Sequence, residues 1–167
     1  MDFFEVIKGR RSIRKYKDEK IDKKVLEEIV DAAKYAASAR SEYPWSFVVI
    51  TEKERVKELT GIIGSNGKFM AGAAAAIVVI SKDAKYFLED GSAATQNLLN
   101  AAYAKGIGTC WIAGDKKDYC EKVLEFTGAP AGYKLVSLIS AGIPDEKPVK
   151  NKPDISEILS WEKYNKT

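Results

Sequence analysis

The chain has 167 residues, 46% of them hydrophobic, with 27 Lys and Arg against 24 Asp and Glu, a net charge of +3 and no histidine. That is enough apolar material for the core of one ordinary domain, and the interspersed charges create no long-range positive field for a nucleic acid. The missing imidazole removes Ser–His and Cys–His nucleophile activation and most zinc sites, so demanding chemistry requires a bound cofactor.

Asp2 is placed to cap a helix running to Lys8, with Phe3, Phe4 and Ile7 on one side and Gly9 closing it. Met1-Asp2-Phe3-Phe4 has no charged stretch followed by an apolar run and cleavage site, so the expectation is a cytoplasmic protein with reduced thiols at Cys110 and Cys120. Asp22 caps the next predicted helix, whose Val25, Leu26, Ile29, Val30, Ala33 and Ala37 repeat with helical spacing. From Trp45 to Thr51 a nearly continuous apolar run predicts a central strand covered on both faces.

A charged helix over Glu52 to about Thr60 leads through a loop, Gly61 to Lys68, to a strand over Ala75 to Ser81. That strand belongs to the longest apolar run, Ala73 to Ile80, which is too short to span a bilayer. Asp83 to Lys105 reads as a long helix with a small-residue face, ended at Gly106 where a left-handed cap is cheapest. Strand Ile107 to Ile112, a helix from Asp115 to Phe126 and strand Tyr133 to Ala141 follow. After Gly142 the chain carries Pro144, Pro148 and Pro153, yet also Ile155, Ile158, Leu159, Trp161 and Tyr164. A tail so rich in apolar residues is expected to dock, on its own domain or on a neighbouring subunit.

Gly106-Ile107-Gly108 follows a helix and precedes a strand, the reverse of the order a dinucleotide fingerprint needs, so Gly106 reads as a cap and Gly108 as a packing residue. No Gly-Lys-Ser or Gly-Lys-Thr is present for a P-loop. The candidate anion site is the run Arg10-Arg11-Ser12-Ile13-Arg14 together with the distant pair Lys150 and Lys152. The planar forks of Arg and the point charges of Lys suit a phosphate, although such residues are usually solvated surface cations.

Four ordered blocks resemble the FMN-dependent nitroreductase family: Arg10 to Tyr16, Ser38 to Trp45, Gly106 to Gly114, and Lys150-Asn151-Lys152-Pro153 with Trp161-Glu162-Lys163-Tyr164. The resemblance spans essentially the whole chain. It implies one α+β domain over residues 1–167 with a central mixed, mainly antiparallel sheet flanked by helices, and residues 143–167 as an extended C-terminal arm. It also implies FMN as cofactor, NADH or NADPH as electron donor, and a homodimer with flavin at the interface. By position, Arg10, Lys150 and Lys152 would hold the phosphate, with Arg11 and Ser12 at the phosphate or ribityl chain. Arg14 would face the pyrimidine edge near N1 and O2.

Trp111, Ile112, Ala113 and Gly114 would pack backbone on the flavin ring, with the N–H of Ala113 or Gly114 aimed at N5. Arg14, Ala113 and Gly114 are accordingly the catalytic candidates. Ser38, Ala39 and Ser41 match the loop that reaches the flavin from the other subunit, although Ala39, Ser41 and Tyr43 depart from the family's usual Ser, Asn and Gln. The implied reaction is ping-pong hydride transfer from NAD(P)H through N5 to an electrophile such as a nitroaromatic or quinone. Glu89 and Asp90 read as helix-surface or dimer-contact groups, and Asn66 and Lys68 as a solvated loop. Two other readings stay open: a flavoprotein of this fold with another redox reaction, such as dehalogenation or substrate oxidation, and a non-enzymatic anion- or nucleic-acid-binding module.

Overall fold

A computed structural model describes residues 1–166. Helix α1 (Phe3–Gly9) begins at Asp2, whose carboxylate accepts from Phe4 N while Glu5 reaches back to the Asp2 N–H, a reciprocal capping box. Helix α2 (Lys23–Ala33) is capped by Asp22. Strand β1 (Trp45–Ile50), α3 (Lys53–Ile63) and a 3-10 stretch, Gly64–Gly72, lead to β2 (Ala75–Lys82). Then come α4 (Phe87–Ala104), β3 (Gly108–Gly114), α5 (Cys120–Thr127), β4 (Tyr133–Gly142) and the short α6 (Ile155–Ile158).

The sheet has the order β1-β2-β4-β3, and every neighbouring pair is antiparallel. Among the described residues parallel pairing is confined to isolated bridges, Ser12–Thr109 and Gly114–Lys116, so the expected mixed character reduces to these. Because successive strand residues face opposite sides, Ala76, Val78 and Ile80 of β2 pack with Val56, Leu59 and Val123 of α3 and α5, while Ala75, Ile77 and Val79 pack with Leu26, Ile29 and Leu98 of α2 and α4. Both sheet faces are thus covered by helices, and each layer buries branched aliphatics at roughly 1.5–3 kcal/mol per side chain.

The run Trp45 to Thr51 is not the central strand that its composition predicts. β1 is the sheet edge, and Val49 is 38% exposed. An unbroken apolar run reports cover on both faces; it carries no information on whether both edges are paired. Beside β1 lies an open groove of about 1050 Å³ lined by Ile21, Leu26, Val30, Trp45, Phe47 and Val49, with Lys20, Lys23 and Lys34 among its flanks.

Other boundaries also move. α2 stops at Ala33 and does not reach Ala37. α4 starts at Phe87, because the Asp83 N–H donates to Gly132 O at 2.9 Å and stays with the sheet end. α5 begins at Cys120, with Asp115 still at the end of β3 and its N–H directed to Val136 O at 3.4 Å. The Gly106 cap is as expected, at φ +75°, and a Cβ on Gly108 would lie 3.0 Å from Ile13. No described helix is long and apolar enough to cross a membrane.

Candidate cofactor site

The two ends of the chain meet along β3. After α1 the backbone extends, and the Ile13 N–H donates to Thr109 O at 2.9 Å. Farther on, the Lys17 N–H donates to Ile143 O at 2.9 Å and the Asp145 N–H to Lys15 O at 3.0 Å. The Glu146 carboxylate accepts from the Arg14 N–H at 2.5 Å and from the Lys15 N–H at 3.1 Å. Tyr16 closes the seam: its hydroxyl donates to Ile13 O and lies 2.7 Å from Ser140 Oγ, and burial pushes its pKa far above the phenolic range.

A cavity of about 400 Å³ lies where these segments converge, lined by Arg10, Arg11, Thr109, Glu146, Lys147 and Val149 among others. Lys150 follows Val149 directly, and both Lys150 and Lys152 are exposed. Arg11 is partly committed elsewhere, since one guanidinium nitrogen donates to Lys8 O at 2.6 Å and Arg10 O at 2.9 Å and so caps the carboxyl end of α1. Arg10, Ser12 and Arg14 converge on the buried Cys110. Burial pushes that thiol's pKa up, while Arg14, the Ser12 hydroxyl and Arg10 pull it down.

The Arg14 guanidinium lies 5.7 Å from the centre of the Phe69 ring, a cation–π contact that fixes its direction. Phe69 belongs to the same 3-10 stretch as the exposed Asn66 and Lys68, and no signal in the sequence singled it out.

The carboxyl end of β3 is irregular. Trp111 pairs with Ile139 and Gly114 with Ser137, so β3 carries one residue more than β4 between these pairs. The extra residue is accommodated by Ala113, exposed and at φ +41°, a conformation rare for a residue with a side chain. Gly114 is required for a different reason: a Cβ there would lie 2.1 Å from Val136 O. Ile112 is buried with the α3 and α5 layer and Trp111 packs with the α2 and α4 layer, so these two offer a ligand their backbone. Beneath the site the Thr109 hydroxyl is buried with no partner among the described residues.

Near the amino end of α4, Ser38, Ala39 and Ser41 form a turn with non-glycine residues at positive φ: Arg40 (57°), Ser41 (56°) and Tyr43 (45°). Asp90 holds it. Its carboxylate is only 6% exposed and accepts from Ser38 Oγ at 2.7 Å and from the Ala39 N–H at 3.1 and 3.2 Å. Ser38 Oγ in turn accepts from the Tyr43 N–H at 2.9 Å. The surface role expected of Asp90 is therefore corrected: it is a buried loop anchor, while Glu89 is exposed as expected. The Ser38 proton is used internally, so its hydroxyl can offer a ligand only a lone pair.

An Arg14 held by Phe69 and Glu146, a strand end bulged at Ala113 and a cavity lined by Arg10 and Arg11 suit an anionic ligand. The Nitroreductase family model matches residues 7–66 and 63–143. The chain belongs to the nitroreductase family, as the four sequence blocks implied. A relative from Archaeoglobus fulgidus, named for NADH dehydrogenase/NAD(P)H nitroreductase, is 39% identical over 150 residues, covering 85% of this chain and 86% of the relative. Among solved structures, an FMN-dependent nitroreductase from Clostridium difficile superposes with a TM-score of 0.88 at 29% identity, covering 96% of this chain and 99% of that one. An NADPH:FMN oxidoreductase from Vibrio harveyi, complexed with NAD+, gives 0.85 at 26% identity, covering 99% and 79%.

Proposed function

We propose that this chain is an NAD(P)H-dependent FMN oxidoreductase acting on small electrophiles such as nitroaromatics or quinones. The observation that carries it is the meeting of the Arg10–Arg14 segment with the chain after β4, around a cavity at the amino end of the strand whose carboxyl end carries the bulge at Ala113. Bound flavin would supply the two-electron chemistry, accepting hydride from NAD(P)H and passing it on to the acceptor in ping-pong order.

The protein's part is binding, orientation and charge. Arg10 with Lys150 and Lys152 would neutralise the phosphate, and Ser12 would hydrogen-bond the phosphate or ribityl chain. Arg14 would supply a permanent cation to the pyrimidine edge, where reduction puts negative charge, and a fixed cation in a water-poor site favours the charged product. With flavin bound, the Ala113 or Gly114 N–H at the bulge would serve as the donor to N5, a role that needs no side chain. With no histidine in the chain, protons come from water or from the cofactor itself.

A second copy completes the site in this reading, through the loop that Asp90 anchors. The arm supports it: Ile155, Ile158, Trp161 and Tyr164 are 63–83% exposed on their own domain, while the apolar groove beside edge strand β1 lies open. Laying one copy's arm on the other's groove would cover both. The paired substitutions Ile158→Asp and Trp161→Asp are expected to shift the sedimenting species from dimer to monomer. A reducing cytoplasm suits the two unpaired thiols.

The purified protein should be yellow, release FMN on denaturation and bleach anaerobically with NADH or NADPH. A colourless protein retained on nucleic acid in a salt-dependent way would favour the anion-binding module. Arg10→Ala or Lys152→Ala should weaken FMN retention roughly ten- to a hundredfold, the worth of about 1.5–3 kcal/mol per charged hydrogen bond. Arg14→Ala should chiefly lower the flavin's midpoint potential, measured by anaerobic dye equilibration.

A further inference from the structure

A carboxylate sits where the proposed ligand needs positive charge. Glu146 lines the same cavity as Arg10 and Arg11, yet no described residue forms an ion pair with it within 4.0 Å. One of its oxygens instead accepts two main-chain donors, the Arg14 N–H at 2.5 Å and the Lys15 N–H at 3.1 Å. Its charge is therefore not cancelled by a paired side-chain cation. It reaches the groups around it, adding to burial, the main cause, in raising the pKa values of Tyr16 and Cys110.

We propose that Glu146 is a positioning residue with two separable effects: its carboxylate oxygen ties the backbone of Arg14 to the C-terminal segment, and its charge opposes the field that Arg14 applies to bound flavin. The inference rests on the reading that flavin binds at this cavity.

The tie acts on the backbone, and the Phe69 ring then receives the side chain, so Arg14 is held from both ends. Without the tie, the segment that carries Arg10, Ser12 and Arg14 keeps its bond to Thr109 but loses both donors to this carboxylate. The charge matters because an anion tied to the Arg14 backbone would disfavour negative charge developing beside Arg14, in opposition to its guanidinium. Geometry and charge can be separated chemically. Glutamine at this position keeps an acceptor oxygen for both N–H groups but is neutral, whereas alanine removes both functions.

The test uses the full-length holoprotein, with FMN affinity read by fluorescence titration and midpoint potential by anaerobic dye equilibration. Glu146→Gln is expected to bind oxidised FMN within about threefold of the parent, with its preference for reduced over oxidised flavin raised about tenfold, a rise of about 30 mV for a two-electron couple. Glu146→Ala is expected to lose FMN affinity about tenfold or more in addition. A parent potential in Glu146→Gln, or equal loss of FMN affinity in the two variants, overturns the proposal while leaving the flavin reading intact. Failure of the parent itself to bind FMN overturns both. Because the side chain is only half-buried, urea midpoints within the parent's range are expected for both variants.

Discussion

Gly114→Ala is expected to lower the urea midpoint by the equivalent of about 3 kcal/mol, at the upper end of what overpacking costs, and to abolish FMN retention. The added Cβ would lie 2.1 Å from Val136 O, 2.6 Å from Val136 C and 2.7 Å from Ser137 Cα. All three are backbone atoms of β4, which is paired on both sides and buried along most of its length, so no rotamer change relieves the clash. The β3 end must move outward, and with it the Ala113 backbone. Gly61→Ala is the matched control. It adds a methyl with nothing within 4 Å, inside helix α3, and is expected to stabilise the protein by about 0.5–1 kcal/mol. Shifts of opposite sign in these two variants would tie the loss to the bulge and exclude a general intolerance of alanine.

Asp90→Ala is the second large effect, with an expected loss of about 2–4 kcal/mol from leaving the Ser38 hydroxyl and the Ala39 N–H without their shared acceptor. The turn beyond them contains Arg40, Ser41 and Tyr43 at positive φ, each a conformation that persists only when its surroundings enforce it. Released from Asp90, the turn should relax, and trypsin should cut after Arg40 faster in Asp90→Ala than in the parent. Asp90→Asn is expected to lose less, because its amide oxygen still receives the Ala39 N–H and only the Ser38 proton loses its acceptor. Tryptic rates that match across all three proteins would show that the turn holds itself.

What could be foreseen from the chain divides along sequence distance. Asp2 and Asp22 cap their helices through donors two residues on, and Gly106 ends α4 through its own φ, so each is decided within a few neighbours. The layers of β2 follow from alternation along a single strand. The features that shape the site are of another kind. Asp90 meets Ser38 across 52 positions, and Glu146 meets Arg14 across 132. The bulge at Ala113 exists only relative to β4, so no property of Gly108–Gly114 alone specifies it. The edge position of β1 is likewise a fact about its neighbours. The cations Arg10 and Arg14 are legible because charge type is written in the residue, whereas nothing in the sequence marks Glu146 as the tie on Arg14 or Asp90 as the anchor of the Ser38 turn.

The carboxylate tie has a consequence for biosynthesis. Arg10 and Arg14 leave the ribosome before the whole sheet, while Glu146 emerges after β4, the strand that joins the two halves of the sheet. A nascent chain therefore exposes half a binding pocket until the sheet is complete, and loading with its prosthetic group is a step that follows the emergence of Glu146.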